Sequence, residues 1–121
     1  MQNLTISIIQ SDLVWEDVDA NLKAFAKKIK AVKQSDLIVL PETFSTSFSM
    51  NSEHLAEPMN GKTMTWMATM AKEKNTVVAG SVILRENDHI FNRFIWMRTD
   101  GTFEKYDKRH LLRMGTNHNN Y

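Results

Sequence analysis

Leu4, Ile6 and Ile8 alternate with Thr5 and Ser7, the period of a strand. Ser11 and Asp12 break that pattern, and a loop carrying Trp15 follows. Asp17 and Asp19 offer capping carboxylates, and Leu22, Phe25, Ile29 and Val32 then recur at helical spacing. This predicts an amphipathic helix over about residues 18–34. Leu37 to Leu40 is an unbroken apolar run, the signature of a strand buried on both faces, and Pro41 ends its ladder. Residues 43–61 are polar and read as a long loop, with Ser45, Ser47, Ser49, Asn51, Pro58 and Asn60-Gly61. Met64, Met67, Ala68 and Ala71 restore helical spacing over residues 63–74. Val77 to Leu84 is a strand in which Gly80 marks a bulge or a close backbone approach. Arg85 to Asp88 is a turn, and Ile90 to Arg98 a further strand. Asp100-Gly101 predicts a type I′ hairpin turn into a return strand over residues 103–107.

The order is strand, helix, strand, long loop, helix, strand, hairpin. Its first half implies a parallel pair and its second half antiparallel strands. The predicted fold class is α/β, a mixed sheet with helices on one face. The other face then needs a cover that these residues do not obviously supply. Val78, Ile83, Phe94 and Trp96 are the candidates for that uncovered surface.

Composition narrows the function without naming it. The chain has 121 residues, 42% hydrophobic and 24% charged, enough for one domain with a core and unlike a disordered tail. A formal net charge of +1 provides no field to steer it to nucleic acid or an anionic membrane. Lys23, Lys27, Lys28, Lys30 and Lys33 fall on the polar side of the first helix and read as a solvated face. The N-terminus alternates like a strand and has no basic leader, so a cytoplasmic location is expected. There is no cysteine.

Two positions carry candidate chemistry. Glu42 follows a buried strand, where open α/β sheets place their ligands, and partial burial there would raise its pKa toward that of a general base. The plainer reading is a loop carboxylate that caps the next turn. Lys108, at the end of the last strand, could hold an oxyanion by its charge. The plainer reading is a surface lysine in a patch with Asp107 and Arg109. His54, His89, His110 and His118 show no paired ligand spacing, so no metal is expected. No glycine-rich phosphate loop and no G-x-S-x-G elbow is present, and the methionines read as core.

Taken jointly, Val39-Leu-Pro-Glu-Thr-Phe44, Val78-Ala-Gly-Ser81, Asn92-Arg93 and Tyr106-Asp-Lys-Arg-His-Leu111 resemble the nitrilase superfamily of carbon-nitrogen hydrolases, and the last run its omega-amidase-like branch. The resemblance implies an αββα sandwich and a Glu-Lys-Cys triad, with Glu42 as general base and Lys108 as the lysine. Opposite charges would hold these two side chains together, so they are expected within ion-pair reach. The pairing also lowers the basicity of Glu42, so burial must offset it. The implied reaction is hydrolysis of a small linear amide, with a 2-oxo dicarboxylic acid monoamide as the branch's substrate class, through a cysteine thioester and without a cofactor. A homodimer or higher homo-oligomer is implied, with no nucleic-acid or membrane partner. Two features depart from the family pattern: the nucleophile is missing, and Thr116 to Asn120 lacks the further acid expected after the lysine. Residues 1–121 are therefore expected to be the N-terminal part of one hydrolase domain, inactive without its cysteine. A non-catalytic interaction module or truncated pseudoenzyme on the same half-fold, and an unrelated mixed α/β binding domain, stay open beside it.

Overall fold

A computed structural model describes residues 3–47, 49 and 51–113. Six strands form a single mixed sheet among these residues. In chain order the elements are β1 (Ile6–Ile8), α1 (Val18–Ala31), β2 (Leu37–Val39), α2 (Ser52–Leu55), β3 (Glu57–Pro58), α3 (Lys62–Lys74), β4 (Val77–Glu86), β5 (His89–Met97) and β6 (Phe103–Arg113). The sheet runs β1-β2-β4-β5-β6, with β3 also paired to β4. β1, β2 and β4 are parallel, and β4, β5 and β6 form an antiparallel meander.

Register assigns every side chain to a face, because cross-strand partners point the same way. Ile38, Val78 and Met97 share a row, as do Gly80 and Ile95. That face receives Leu22, Phe25 and Ile29 of α1 and Met64, Met67 and Ala71 of α3 in one apolar core. The expected mixed sheet with helices on one face is the fold observed. The opposite face carries Ile6, Leu37 and Val77 in one row and Ile8, Val39, Ala79 and Trp96 in the next. Ile8 is 72% exposed and Tyr106 69%. β2 is accordingly not buried on both faces: Ile38 is buried, while Leu37 and Val39 are half-buried on the open side. Of the residues expected to be uncovered, Phe94 and Trp96 do lie half-buried on that side. Val78 faces the helices, and Ile83 is covered by Ala56, Ile90 and Leu111.

The helix ends have identifiable causes. Asp17 caps α1 by accepting the Ala20 N–H at 3.0 Å. The helix stops at Ala31 rather than near residue 34, because Val32 turns extended. Lys74 Nζ satisfies the freed carbonyls of Lys30 and Val32 there. Gly61 has no side chain to cap α3, so Glu57 substitutes for one, accepting the Thr63 N–H at 2.8 Å. The stretch expected to be loop over residues 43–61 therefore contains α2 and β3, and β3 sets that cap in place through its pairing with Leu84. Asn75 closes α3 in the left-handed conformation.

The type I′ turn expected at Asp100-Gly101 occurs instead at the preceding hairpin. Asn87 and Asp88 both have positive φ, 54° and 63°, and join the paired Glu86 and His89 in a type I′ turn. At the Asp-Gly site only Gly101 is left-handed, with φ 88°. The Asp100 carboxylate accepts the Thr102 N–H at 2.9 Å, an Asx turn that keeps Asp100 out of the left-handed region.

Candidate active site

The site begins where β2 gives out. Leu40 N–H still reaches Ala79 O at 2.7 Å, and Pro41 ends the ladder. Glu42 follows, then Thr43 with φ 46°, a costly conformation for a β-branched residue. Three anchors hold it. Thr43 N–H donates to Ser81 Oγ at 2.8 Å, and Ser47 N–H closes the turn onto Thr43 O at 2.8 Å. Phe44 plunges into the core, edge-on to Phe25 with centroids 5.8 Å apart and tilted against Trp66 at 5.6 Å. This explains Gly80, which is neither a bulge nor a backbone approach: a Cβ there would lie 2.9 Å from the Phe44 ring. Buried Asn21 clamps the neighbouring loop, exchanging two hydrogen bonds with Val14 and donating to Ser45 O.

β6 supplies the lysine by an irregularity. Asp107 pairs with Arg93 and Arg109 with Asn92, which leaves Lys108 as the extra residue of a β-bulge. A second shift leaves out Leu111. The bulge puts Lys108 and Arg109 together on the site, while Asp107 faces the other way and binds Arg93. Asp107 is thus no part of a patch with Lys108.

Glu42 Oε1 and Lys108 Nζ stand 3.3 Å apart. Asn92 Nδ2 donates to the other carboxylate oxygen, Oε2, at 2.7 Å. Both side chains border a cavity of about 660 Å³, whose wall includes Thr46, Ser47, Ser49, Asn92, Arg109 and Leu111. The Asn92 hydrogen bond is the main influence holding the Glu42 carboxyl below its ordinary value, joined by the charges of Lys108 and Arg109. Burial opposes this and does not win, because the Glu42 side chain is 56% exposed. The expectation that desolvation would offset the pairing is overturned: this carboxylate is held ionised. It can accept a proton, orient a donor, or fix the ammonium beside it.

Asn92 belongs to the site although sequence spacing does not single it out from the Asn92-Arg93 pair. Strand alternation on β5 was the available signal, since it puts Asn92 on the face of Ile83 and away from Arg93. Sequence spacing also concealed a histidine pair, His89 Nδ1 and His110 Nε2, 2.8 Å apart across β5 and β6. Among the described residues no three His, Asp or Glu side chains gather as a metal site, and no helix is long and apolar enough to cross a membrane. Thr116 to Asn120 lie outside the described residues.

Comparison with known proteins shows the family. Residues 5–120 match the model of the carbon-nitrogen hydrolase family. Over all 121 residues the chain is 39% identical to omega-amidase YafV of Yersinia enterocolitica and 37% to that of Escherichia coli K12, covering 47% of each. It is 31% identical over 118 residues to 2-oxoglutaramate amidase of Bacillus subtilis, covering 46% of that protein. The chain therefore spans about half the length of these relatives. Among solved structures, XC1258 from Xanthomonas campestris, a CN-hydrolase superfamily protein with an arsenic adduct in its active site, superposes with a TM-score of 0.87. The two are 39% identical, over 100% of this chain and 46% of that one. Saccharomyces cerevisiae Nit3, at 21% identity and a TM-score of 0.73, shares the fold. With a strand-end glutamate and a bulged lysine meeting over one cavity, and a family match spanning nearly its whole length, this chain belongs to the carbon-nitrogen hydrolase family.

Proposed function

We propose that this chain contributes the acid and the lysine of an amidase site that hydrolyses a small linear amide to a carboxylic acid and ammonia. The observation that carries the reading is the 3.3 Å approach of Glu42 and Lys108 on a shared cavity wall. No cysteine stands among the 121 residues. The nucleophile is a thiol from polypeptide beyond them, these residues being the N-terminal part of one domain. In this mechanism Glu42 takes the thiol proton and the thiolate attacks the amide carbon. Lys108 supplies the cation that the developing oxyanion needs. Collapse of the adduct expels ammonia, with its proton returned through Glu42, and leaves a thioester. Glu42 then deprotonates a water that cleaves it. The lowered pKa of Glu42 makes it a modest base that is ionised at neutral pH, the state both proton abstractions require.

The substrate class is the monoamide of a 2-oxo dicarboxylic acid. Two relatives bear omega-amidase names and a third is a 2-oxoglutaramate amidase, and Arg109 joins Lys108 on the wall as a second cation suited to an anionic substrate. The reading extends to a cytoplasmic homo-oligomer with no nucleic-acid or membrane partner. The open apolar rows of the sheet support the association, and a formal net charge of +1 supports the lack of a nucleic-acid or anionic-membrane partner.

Ammonia release from 2-oxoglutaramate and from simple amides tests the reading in the polypeptide as its gene encodes it. Turnover there, abolished in Glu42→Gln and in Lys108→Met and absent from the 121-residue chain alone, is expected. Release that persists in Glu42→Gln would overturn the assignment. No release from the encoded polypeptide would favour a non-catalytic interaction module.

A further inference from the structure

Two side chains touch the Glu42 carboxylate, and they differ in rigidity. Lys108 ends a flexible four-carbon stem and is 39% exposed. Asn92 is 8% exposed, in mid-strand between Ile83 of β4 and Arg109 of β6. Its orientation is dictated by chemistry: a carboxylate only accepts, so the amide nitrogen must face Glu42. The amide oxygen then turns inward, where Oδ1 has no hydrogen-bond partner among the described residues. An orphaned buried acceptor destabilises a fold, and an apolar side chain of similar volume would avoid it. The surroundings favour that replacement, since Ile83, Ile90 and Leu111 form an apolar cluster on the same face. The asparagine is therefore poorly accounted for by packing and well accounted for by Glu42.

We infer that Asn92 is a positioning residue that fixes Oε2 of Glu42 and so leaves Oε1 aimed at Lys108 and the cavity. This rests on the amidase reading for its catalytic meaning, but the geometry stands apart from that reading. Glu42 has three side-chain torsions and is mostly exposed, so a flexible lysine alone would leave the carboxylate among several rotamers. With one oxygen held at 2.7 Å the carboxylate has fewer orientations, and the Lys108 ammonium at 3.3 Å takes the other oxygen. The charged groups facing Glu42 are Lys108 and Arg109, both from β6.

The test compares Asn92→Leu and Asn92→Asp with the wild type in the polypeptide as encoded. The Glu42 carboxyl is followed by carbon-detected NMR, with Glu42→Gln identifying its signal, alongside thermal melts and amide turnover. In Asn92→Leu the Glu42 titration should move up toward the ordinary carboxylate value, with the melt confirming that the variant folds. In Asn92→Asp the titration should move up further, because two carboxylates then share the site. Should the leucine variant fail to fold, the near-isosteric aspartate carries the same readout. kcat should fall roughly ten- to hundredfold with KM little changed, the range expected for loss of one charge-assisted hydrogen bond. A Glu42 titration unmoved in both variants overturns the inference, whatever the melts show. An unchanged kcat beside a moved titration overturns the catalytic role. If the wild type releases no ammonia, the amidase reading fails and the titration still decides what Asn92 does.

Discussion

Asn92 and Arg93 are neighbours on β5, both nearly buried, and they face opposite sides of the sheet. Arg93 points to the helical side and is fully engaged. It binds Asp107 through Nε and Nη2, reaches Glu86 at 2.8 Å, and lies over the Phe91 ring at 4.4 Å. Asn92 points to the cavity side and keeps an orphaned oxygen. The pattern extends to whole faces. The helical face is dry and interlocked, with Phe25, Phe44, Ile38, Met67 and Ile95 essentially inaccessible. The other face combines the cavity with exposed Ile8 and Tyr106. One side of the sheet stabilises the chain, and the other is organised around Glu42. The link between them is Phe44, whose ring belongs to the core while its backbone belongs to the turn that presents the glutamate.

The largest effect should come from cutting that link. Phe44→Ala removes a fully buried ring and should cost about 3–5 kcal/mol in urea unfolding. A loss below about 1 kcal/mol would mean the core does not hold the turn. Gly80→Val attacks the same contact from the sheet side, where the ring leaves 2.9 Å for a Cβ, and overpacking should cost about 1–3 kcal/mol. Arg93→Met tests the one buried charge on the helical face among the described residues. Its two carboxylates are partly solvated, so the loss should be about 2 kcal/mol, below that of a fully buried pair. Asn21→Ala removes three hydrogen bonds that join the loops beside the site and should cost about 1–2 kcal/mol. Amide exchange should then accelerate at Val14.

Acid sharpens the comparison, because each face has one glutamate whose pKa is lowered from 4.5. Hydrogen bonds from Arg93 and Lys105 hold Glu86 down, and the hydrogen bond from Asn92 holds Glu42 down. A depressed folded pKa means the ionised group favours the fold. That contribution is complete above 4.5 and disappears as pH falls through the lower folded values. Urea midpoints should therefore drop in acid, and Glu86→Gln with Glu42→Gln should flatten the decline. The smallest stability effect belongs to the open face: Ile8→Ser should change stability by under about 0.5 kcal/mol, since its side chain is already in water. Light scattering should nevertheless show weaker self-association, and an unchanged distribution would remove this face from any interface.

Most elements could be read from local pattern. The departures lie where a side chain captures a polar group that periodicity does not describe. Asp100 was predicted to turn left-handed, but its carboxylate captures Thr102 and a bulge-type turn results. α1 ends about a turn before the periodicity predicts, where Val32 turns extended and Lys74, far along the chain, collects the last carbonyls. Glu42 was expected to be desolvated, and its exposure follows from a cavity wall that no periodicity describes. Asn92 and Glu42 lie 50 residues apart, beyond any spacing rule.

Alternation and helical period by themselves determined every described strand but β3, the two long helices and a mixed sheet covered on one side, because burying one face demands a fixed local period. Sequence also placed Glu42 at a strand end, since an apolar run closed by proline must release its next residue at the sheet edge. Only the tertiary structure decided that a bulge makes Lys108 and Arg109 neighbours on the cavity, that Asp107 leaves them for Arg93, and that Asn92 rather than burial governs the Glu42 carboxyl. Register shifts and the partners of buried polar groups are settled by which strands meet, and that information lies in the packing of the whole sheet.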